Sequence, residues 1–184
     1  MNVLVTAASK EGATAEIAEA IAAALTKRGV GTTVTEPDRV VDVRGYDAVV
    51  IGSAVYGGHW LQPATELVDR IGALLAGRPV WLFSSGPVGD PSRKLVQKMG
   101  ADPVDLQSLR TQTNACEHRM FAGKLIARNG GFAQRVSLRV FRGLEGDFRN
   151  WAAVEQWAGE IADALLGVDR SSRSADETPP VGSC

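Results

Sequence analysis

Two cysteines, at positions 116 and 184, are all that the 184 residues contain. They are too few and too far apart in sequence to suggest a disulfide scaffold or a metal knuckle. Two histidines, His59 and His118, likewise make no metal-ligand cluster. No apolar run approaches the ~20 residues that a membrane span needs. Met1 leads almost directly into "NVLV", with no basic region or cleavage site, so no secretory signal is expected. The implied compartment is a reducing cytoplasm. Nothing in the pattern points to nucleic acid as a partner.

Three catalytic or phosphate-binding signatures are missing as well. The loop after the first apolar run, "LVTAASKEGAT" (4–14), has Ala13 and Thr14 after Gly12, so the G-x-x-x-x-G-K-[ST] phosphate loop is absent. The G-x-G-x-x-G dinucleotide fingerprint is absent too. A phosphorylatable receiver would need acidic residues where Thr6, Ala7 and Ala8 stand.

What is present is ordinary for a single globular domain: 45% hydrophobic and 22% charged residues, enough for a sizeable core. Net charge is −1, but unevenly spread. Residues 1–91 carry 7 Lys/Arg against 10 Asp/Glu, residues 92–142 carry 10 against 3, and residues 143–184 carry 3 against 8. The basic middle suits an anionic ligand or surface, or a set of solvated helix faces.

Strand-like and helix-like segments alternate. "NVLVT" (2–6), "GTTVTE" (31–36), "DAVVIGS" (47–53), "PVWLFSS" (79–85) and "CEHRMFAGKL" (116–125) read as strands. Between them, 13–29 and 63–77 have apolar residues at three- and four-residue spacing, as do segments around 132–142 and 150–166. This alternation predicts a three-layer α/β sandwich, with a parallel sheet covered by helices on both faces. The domain is expected to span 1–166 and to leave 167–184, rich in Ser, Pro and acid, as a disordered tail.

Ligands of such sheets bind beyond the carboxyl ends of the strands. That rule selects three loops, 7–14, 53–60 and 85–92, all rich in Gly, Ser or Ala. In the first, the hydroxyls of Ser9 and Thr14 converge with backbone N–H groups at a helix N-terminus. A phosphate is favoured there without a cationic side chain; a plain surface turn is the alternative. "ASKEGAT" resembles the flavodoxin-family phosphate loop, [ST]-x-x-G-x-T, with Ser9, Gly12 and Thr14 at the motif positions. The resemblance implies the flavodoxin-like strand order 2-1-3-4-5 and noncovalent FMN. It places the phosphate on Ser9, Lys10, Glu11, Gly12, Ala13 and Thr14. It places the ring against Ala54, Val55, Tyr56 and Gly57, with Tyr56 stacked on it, and beside Ser84, Ser85, Gly86 and Gly89. Tyr56 as a surface tyrosine, and the glycines as simple turns, remain open.

Downstream, "EHRMFAGKL" (117–125) and "EGDFRNWAAVEQWAGEIA" (145–162) are similar to the menaquinone-dependent protoporphyrinogen oxidase branch of that superfamily. Its members carry F-x-G-K/R-L after the last strand and G-D-[YF]-R-[DN]-W at the start of the final helix. That resemblance covers about residues 2–166. One departure is that Gly58 separates Gly57 from His59, where the branch has Tyr-Gly-His. The branch implies an FMN-dependent oxidoreductase that takes electrons from a protoporphyrinogen-like substrate and passes them to a quinone. The alternatives are an FMN electron carrier without its own substrate, and a flavin-free binding module on the same fold. No side chain offers itself as catalytic acid or base. In the last helix, Trp151, Val154, Trp157, Ala158, Ile161 and Leu165 read as a core stripe capped by Asp147 or Asn150. His118 reads as structural. The basic 128–142 segment, with Arg135, Arg139 and Arg142 on one helix face, offers peripheral contact with the inner face of an anionic membrane.

Overall fold

A computed structural model describes residues 1–86, 102–125 and 146–167. Five strands form the parallel core of the sheet: β1 (Asn2–Ala8), β2 (Gly31–Thr35), β3 (Ala48–Tyr56), β5 (Val80–Ser85) and β6 (Glu117–Phe121). Their spatial order is β2-β1-β3-β5-β6, which is 2-1-3-4-5 when these five alone are counted. A short β4 (His59–Trp60) turns back antiparallel onto the end of β3.

The central strands are mostly apolar because both of their faces are covered. Helices α1 (Ala13–Lys27) and α4 (Trp151–Leu166) cover one face. There Val3, Val5, Ile17, Ile21, Phe83, Phe121, Trp157 and Ile161 form one core cluster. Helices α2 (Gln62–Ile71) and α3 (Leu106–Thr113) cover the other, over Leu4, Val49, Ile51, Leu67, Ile71 and Leu82. β2 sits at the edge, and its polar alternation "GTTVT" leaves it only partly covered.

On the α1/α4 side, Phe83, Phe121 and Trp157 meet edge to face, with centroids 5.5–6.2 Å apart. Gly52 of β3 makes room for this cluster. A Cβ there would lie 2.1 Å from Cζ of Phe83.

Several boundaries differ from the sequence expectation. The segment read as one strand over 116–125 breaks at Ala122–Gly123, and β7 (Lys124–Leu125) pairs instead with β8 (Gly146–Asp147) in a separate two-stranded ribbon. The helix read over 63–77 ends at Ile71 and passes into a 3-10 turn, Gly72–Leu75. α3 has no matching sequence expectation, since "LQSLRTQT" is a short polar stretch whose helix rests on Leu106, Leu109 and Thr113 as buried residues. Trp151 is not core: it is 40% exposed, whereas Trp157 is fully buried. Asn150 is the cap, its Oδ1 accepting the Ala153 N–H at 3.1 Å. The helix read around 132–142, the basic segment and most of the C-terminal tail lie outside the described residues.

Candidate functional site

β1, β3 and β5 are neighbours and all three run parallel, so the loops that follow them emerge together at one edge of the sheet.

After β1, the chain enters α1 through Gly12, in the left-handed region at φ 84°. Glycine suits that position because it has no Cβ to clash. No side chain caps the helix. The first intrahelical bond runs from the Glu16 N–H to the Gly12 carbonyl, at 3.0 Å. The N–H groups of Ala13, Thr14 and Ala15 therefore have no acceptor within the helix. Thr14 is 2% exposed, yet its hydroxyl makes no hydrogen bond among the described residues. Ser9 is half-buried, and its hydroxyl is likewise unbonded there. Lys10, Glu11 and Gly12 are exposed and Ala13 is half-buried. Three open N–H groups and two open hydroxyls around a helix N-terminus are the donor set an anionic phosphate requires.

After β3 the expectation needs one correction. Ala54, Val55 and Tyr56 belong to the strand, not to a loop. The chain turns at Gly57 (φ 61°) and Gly58 (φ 85°) into β4, and two consecutive positive φ values are what a tight hairpin of this type demands. Tyr56 stands at the hairpin's end, 47% exposed. Lys10 Nζ lies 5.1 Å from the centre of its ring, so the first two loops meet. Partial burial pushes the Tyr56 phenol above its ordinary value, and the charge of Glu11 adds to this. The phenol therefore stays protonated at neutral pH.

The hairpin is fastened from outside. The Val104 N–H donates to the Gly58 carbonyl at 2.9 Å. Asp105 holds the backbone N–H of Trp60 with Oδ2 at 2.9 Å, and its Oδ1 lies 2.7 Å from Nδ1 of His59. Inside, the indole N–H of Trp60 donates to Ser84 Oγ at 2.8 Å, and that oxygen lies 2.8 Å from Nε2 of His118. The Ser84 hydroxyl is thus committed within the protein, and what remains for a ligand at this strand is backbone. Ser85 is buried as well. Gly86 follows with φ 131° and donates its N–H to the Phe121 carbonyl at 3.0 Å. Gly89 lies outside the described residues.

Trp60, Asp105 and His118 are the site-supporting residues that reading the chain did not single out for this role. No local pattern announces them, since their partners are 24 to 46 residues away. Arg149 is a further case. It belongs to "GDFRNW", but its partners on α1 are known only once the two helices pack together.

A five-stranded parallel sheet in the order 2-1-3-4-5, with helices on both faces and loops gathered at its carboxyl edge, defines a doubly wound α/β domain. The family model described as "Flavodoxin domain" matches residues 4–150, and the chain belongs to that family. It is 24% identical over 174 residues to the protoporphyrinogen IX dehydrogenase (quinone) of Escherichia coli K12, over 88% of this chain and 95% of that protein. Among solved structures, a flavodoxin from the domain Archaea superposes with a TM-score of 0.60 at 14% identity, over 90% of this chain and 99% of that one. Oxidised flavodoxin 1 from Bacillus cereus gives 0.60 at 15% identity, over 89% and 98%. These two likenesses concern the fold. No helix among the described residues is long and apolar enough to cross a membrane.

Proposed function

We propose that this domain binds FMN noncovalently and works as an oxidoreductase, passing electrons from a reduced, protoporphyrinogen-like substrate to a quinone. The observation that carries the proposal is the meeting of an uncapped α1 N-terminus, whose Thr14 hydroxyl has no hydrogen-bond partner among the described residues, and the half-exposed Tyr56 ring, joined through Lys10. Family membership supports a flavin redox role, and the distant E. coli relative supports the quinone-linked variety.

In this reading Ser9, Thr14 and the first-turn N–H groups hold the phosphate, and Gly12 lets the backbone approach it. Lys10 supplies the nearby positive charge. Tyr56 covers one face of the ring system, its apolar body against the ring and its hydroxyl in water. Ala54, Val55 and Gly57 border the ring from the hairpin, and backbone groups of Ser84, Ser85 and Gly86 flank its polar edge. Bound FMN supplies the electron-transfer chemistry, and the protein supplies position and electrostatics. A quinone acceptor implies approach to a membrane, and the basic 128–142 segment is the proposed peripheral contact. Sedimentation with anionic vesicles tests that contact, and binding unchanged by Arg135→Glu with Arg139→Glu would dismiss it.

The deciding experiment is a visible absorption spectrum of the purified protein after FMN is added and the excess removed. A retained flavin spectrum, followed by turnover of protoporphyrinogen with a menaquinone analogue, is the expected result. A colourless protein overturns the cofactor assignment. A flavin-loaded protein with no turnover leaves the cofactor and removes the substrate.

A further inference from the structure

Arg149 lies just before α4, and its side chain is only 3% exposed. Such burial is costly for a guanidinium unless its charge is paired and its donors are used. Here they are used. Nε and Nη2 grip both oxygens of Asp147 at 2.8 and 2.5 Å. Nη1 lies 2.7 Å from Glu16 Oε2 and 3.3 Å from the carbonyl oxygen of Ala13. The guanidinium carbon stands 4.4 Å from the centre of the Trp151 ring, which shields its outer side. Asp147 is held down to about 2, chiefly by its hydrogen bonds from Arg149, so the carboxylate is ionised across the working range of pH.

The position of this cluster matters more than its strength. Ala13 is the first residue of α1, directly after Gly12, and Glu16 is in the same first turn. Two carboxylates, Glu16 and Asp147, therefore converge beside the helix N-terminus assigned above to a phosphate. A doubly charged phosphate and two carboxylates repel one another unless a cation stands among them. Arg149 is the cation that bonds both, and it also bonds the first carbonyl of the helix. A second ion pair, Arg28–Asp163 at 2.6 Å, joins the same two helices at the far end of α1. Joining the helices does not therefore require a buried arginine at the phosphate end.

We infer that Arg149 is a positioning residue for the cofactor's phosphate: it neutralises Glu16 and Asp147 and fixes the first turn of α1, so that the turn accepts a phosphate dianion. The inference rests on the FMN reading and makes it more specific, because it concerns the phosphate and not the ring. Riboflavin, which has the same ring and no phosphate, separates the two.

The test is titration of the purified apoprotein with FMN and with riboflavin, followed by quenching of flavin fluorescence at low and moderate salt. Arg149→Met is expected to weaken FMN about tenfold or more, about 1.4 kcal/mol, and to leave riboflavin within about twofold. Glu16→Gln, a milder change at an exposed carboxylate, is expected to tighten FMN by about threefold at low salt without altering riboflavin. Arg28→Met is expected to leave the ratio of the two affinities unchanged. Equal losses for both flavins in Arg149→Met would make it a general packing clamp and overturn the inference. Should that variant not fold, Glu16→Gln decides alone: weaker or unchanged FMN binding overturns it. A wild-type protein that binds neither flavin overturns the FMN reading itself. One that binds riboflavin but gains nothing from the phosphate overturns only the loop assignment and this inference.

Discussion

Oγ of Ser84 lies 2.8 Å from Nε2 of His118, and the same oxygen accepts the indole N–H of Trp60 at 2.8 Å. An indole N–H can only donate, so Ser84 accepts from Trp60, and the hydroxyl still has a lone pair and its own hydrogen with which to meet either tautomer of His118. The other ring nitrogen of His118, Nδ1, faces Asp102 at 3.8 Å. The chain of bonds ties the hairpin bearing Tyr56 to the last two strands of the sheet.

The pH dependence of stability follows from this pair. Burial pushes the His118 imidazole below its ordinary value; Asp102 and Glu117 oppose the shift, and Arg110 adds to it. A histidine whose value is depressed on folding binds fewer protons folded than unfolded. Its contribution is therefore complete above the unfolded value of about 6.5 and lost as pH falls through the folded one. Urea unfolding at pH 5 and pH 7.5 is expected to show lower stability at pH 5, with a smaller difference in His118→Gln. An unchanged difference in that variant would mean that other groups carry the dependence.

Thr6 of β1 is fully buried, and its hydroxyl has no hydrogen-bond partner among the described residues. A buried hydroxyl left unpaired costs about 1–3 kcal/mol. Thr6→Val keeps the branched shape that a strand favours and is expected to stabilise by about 1 kcal/mol in equilibrium unfolding. Destabilisation would show that the hydroxyl is bonded in solution, for instance to a buried water.

Gly52→Ala is expected to destabilise by about 2–3 kcal/mol, since overpacking a tight core forces side chains or backbone to shift. Its Cβ would fall within 2.6 Å of three atoms of the Phe83 ring, which is itself wedged against Phe121 and Trp157. A companion Phe83→Leu in the same chain should recover part of the loss. Additive losses in thermal denaturation would contradict that account.

Tyr56→Ala is expected to weaken FMN and riboflavin alike, by about threefold to tenfold, the scale of one aromatic contact at about 0.5–1.5 kcal/mol. Common loss for both flavins is the mark of a ring contact and contrasts with the phosphate-dependent loss expected at Arg149. Affinities unchanged from wild type would remove Tyr56 from the ring face.

Composition, period and small local motifs are properties of neighbouring residues, so whatever depends on them alone can be read along the chain. The runs at 2–6, 47–53 and 79–85 read as strands, the last two as buried, and their alternation with helices led to the parallel sheet and its carboxyl edge. Ser9, Gly12 and Thr14 lie within six residues, so their likeness to a phosphate loop is carried by a local motif. Tyr56 is a ring-face candidate through the resemblance of the same short segment, whereas no local signal marks the extension of β3 through it. Tertiary structure alone decided which distant side chains support those loops. Trp60 finds Ser84 across 24 residues, Ser84 finds His118 across 34, and Arg149 finds Glu16 across 133. Trp151, expected in the core stripe, is instead 40% exposed, with the Arg149 guanidinium over its ring. Each of these pairings depends on which elements pack together, and a period read along one segment holds no information about the partner that will face it.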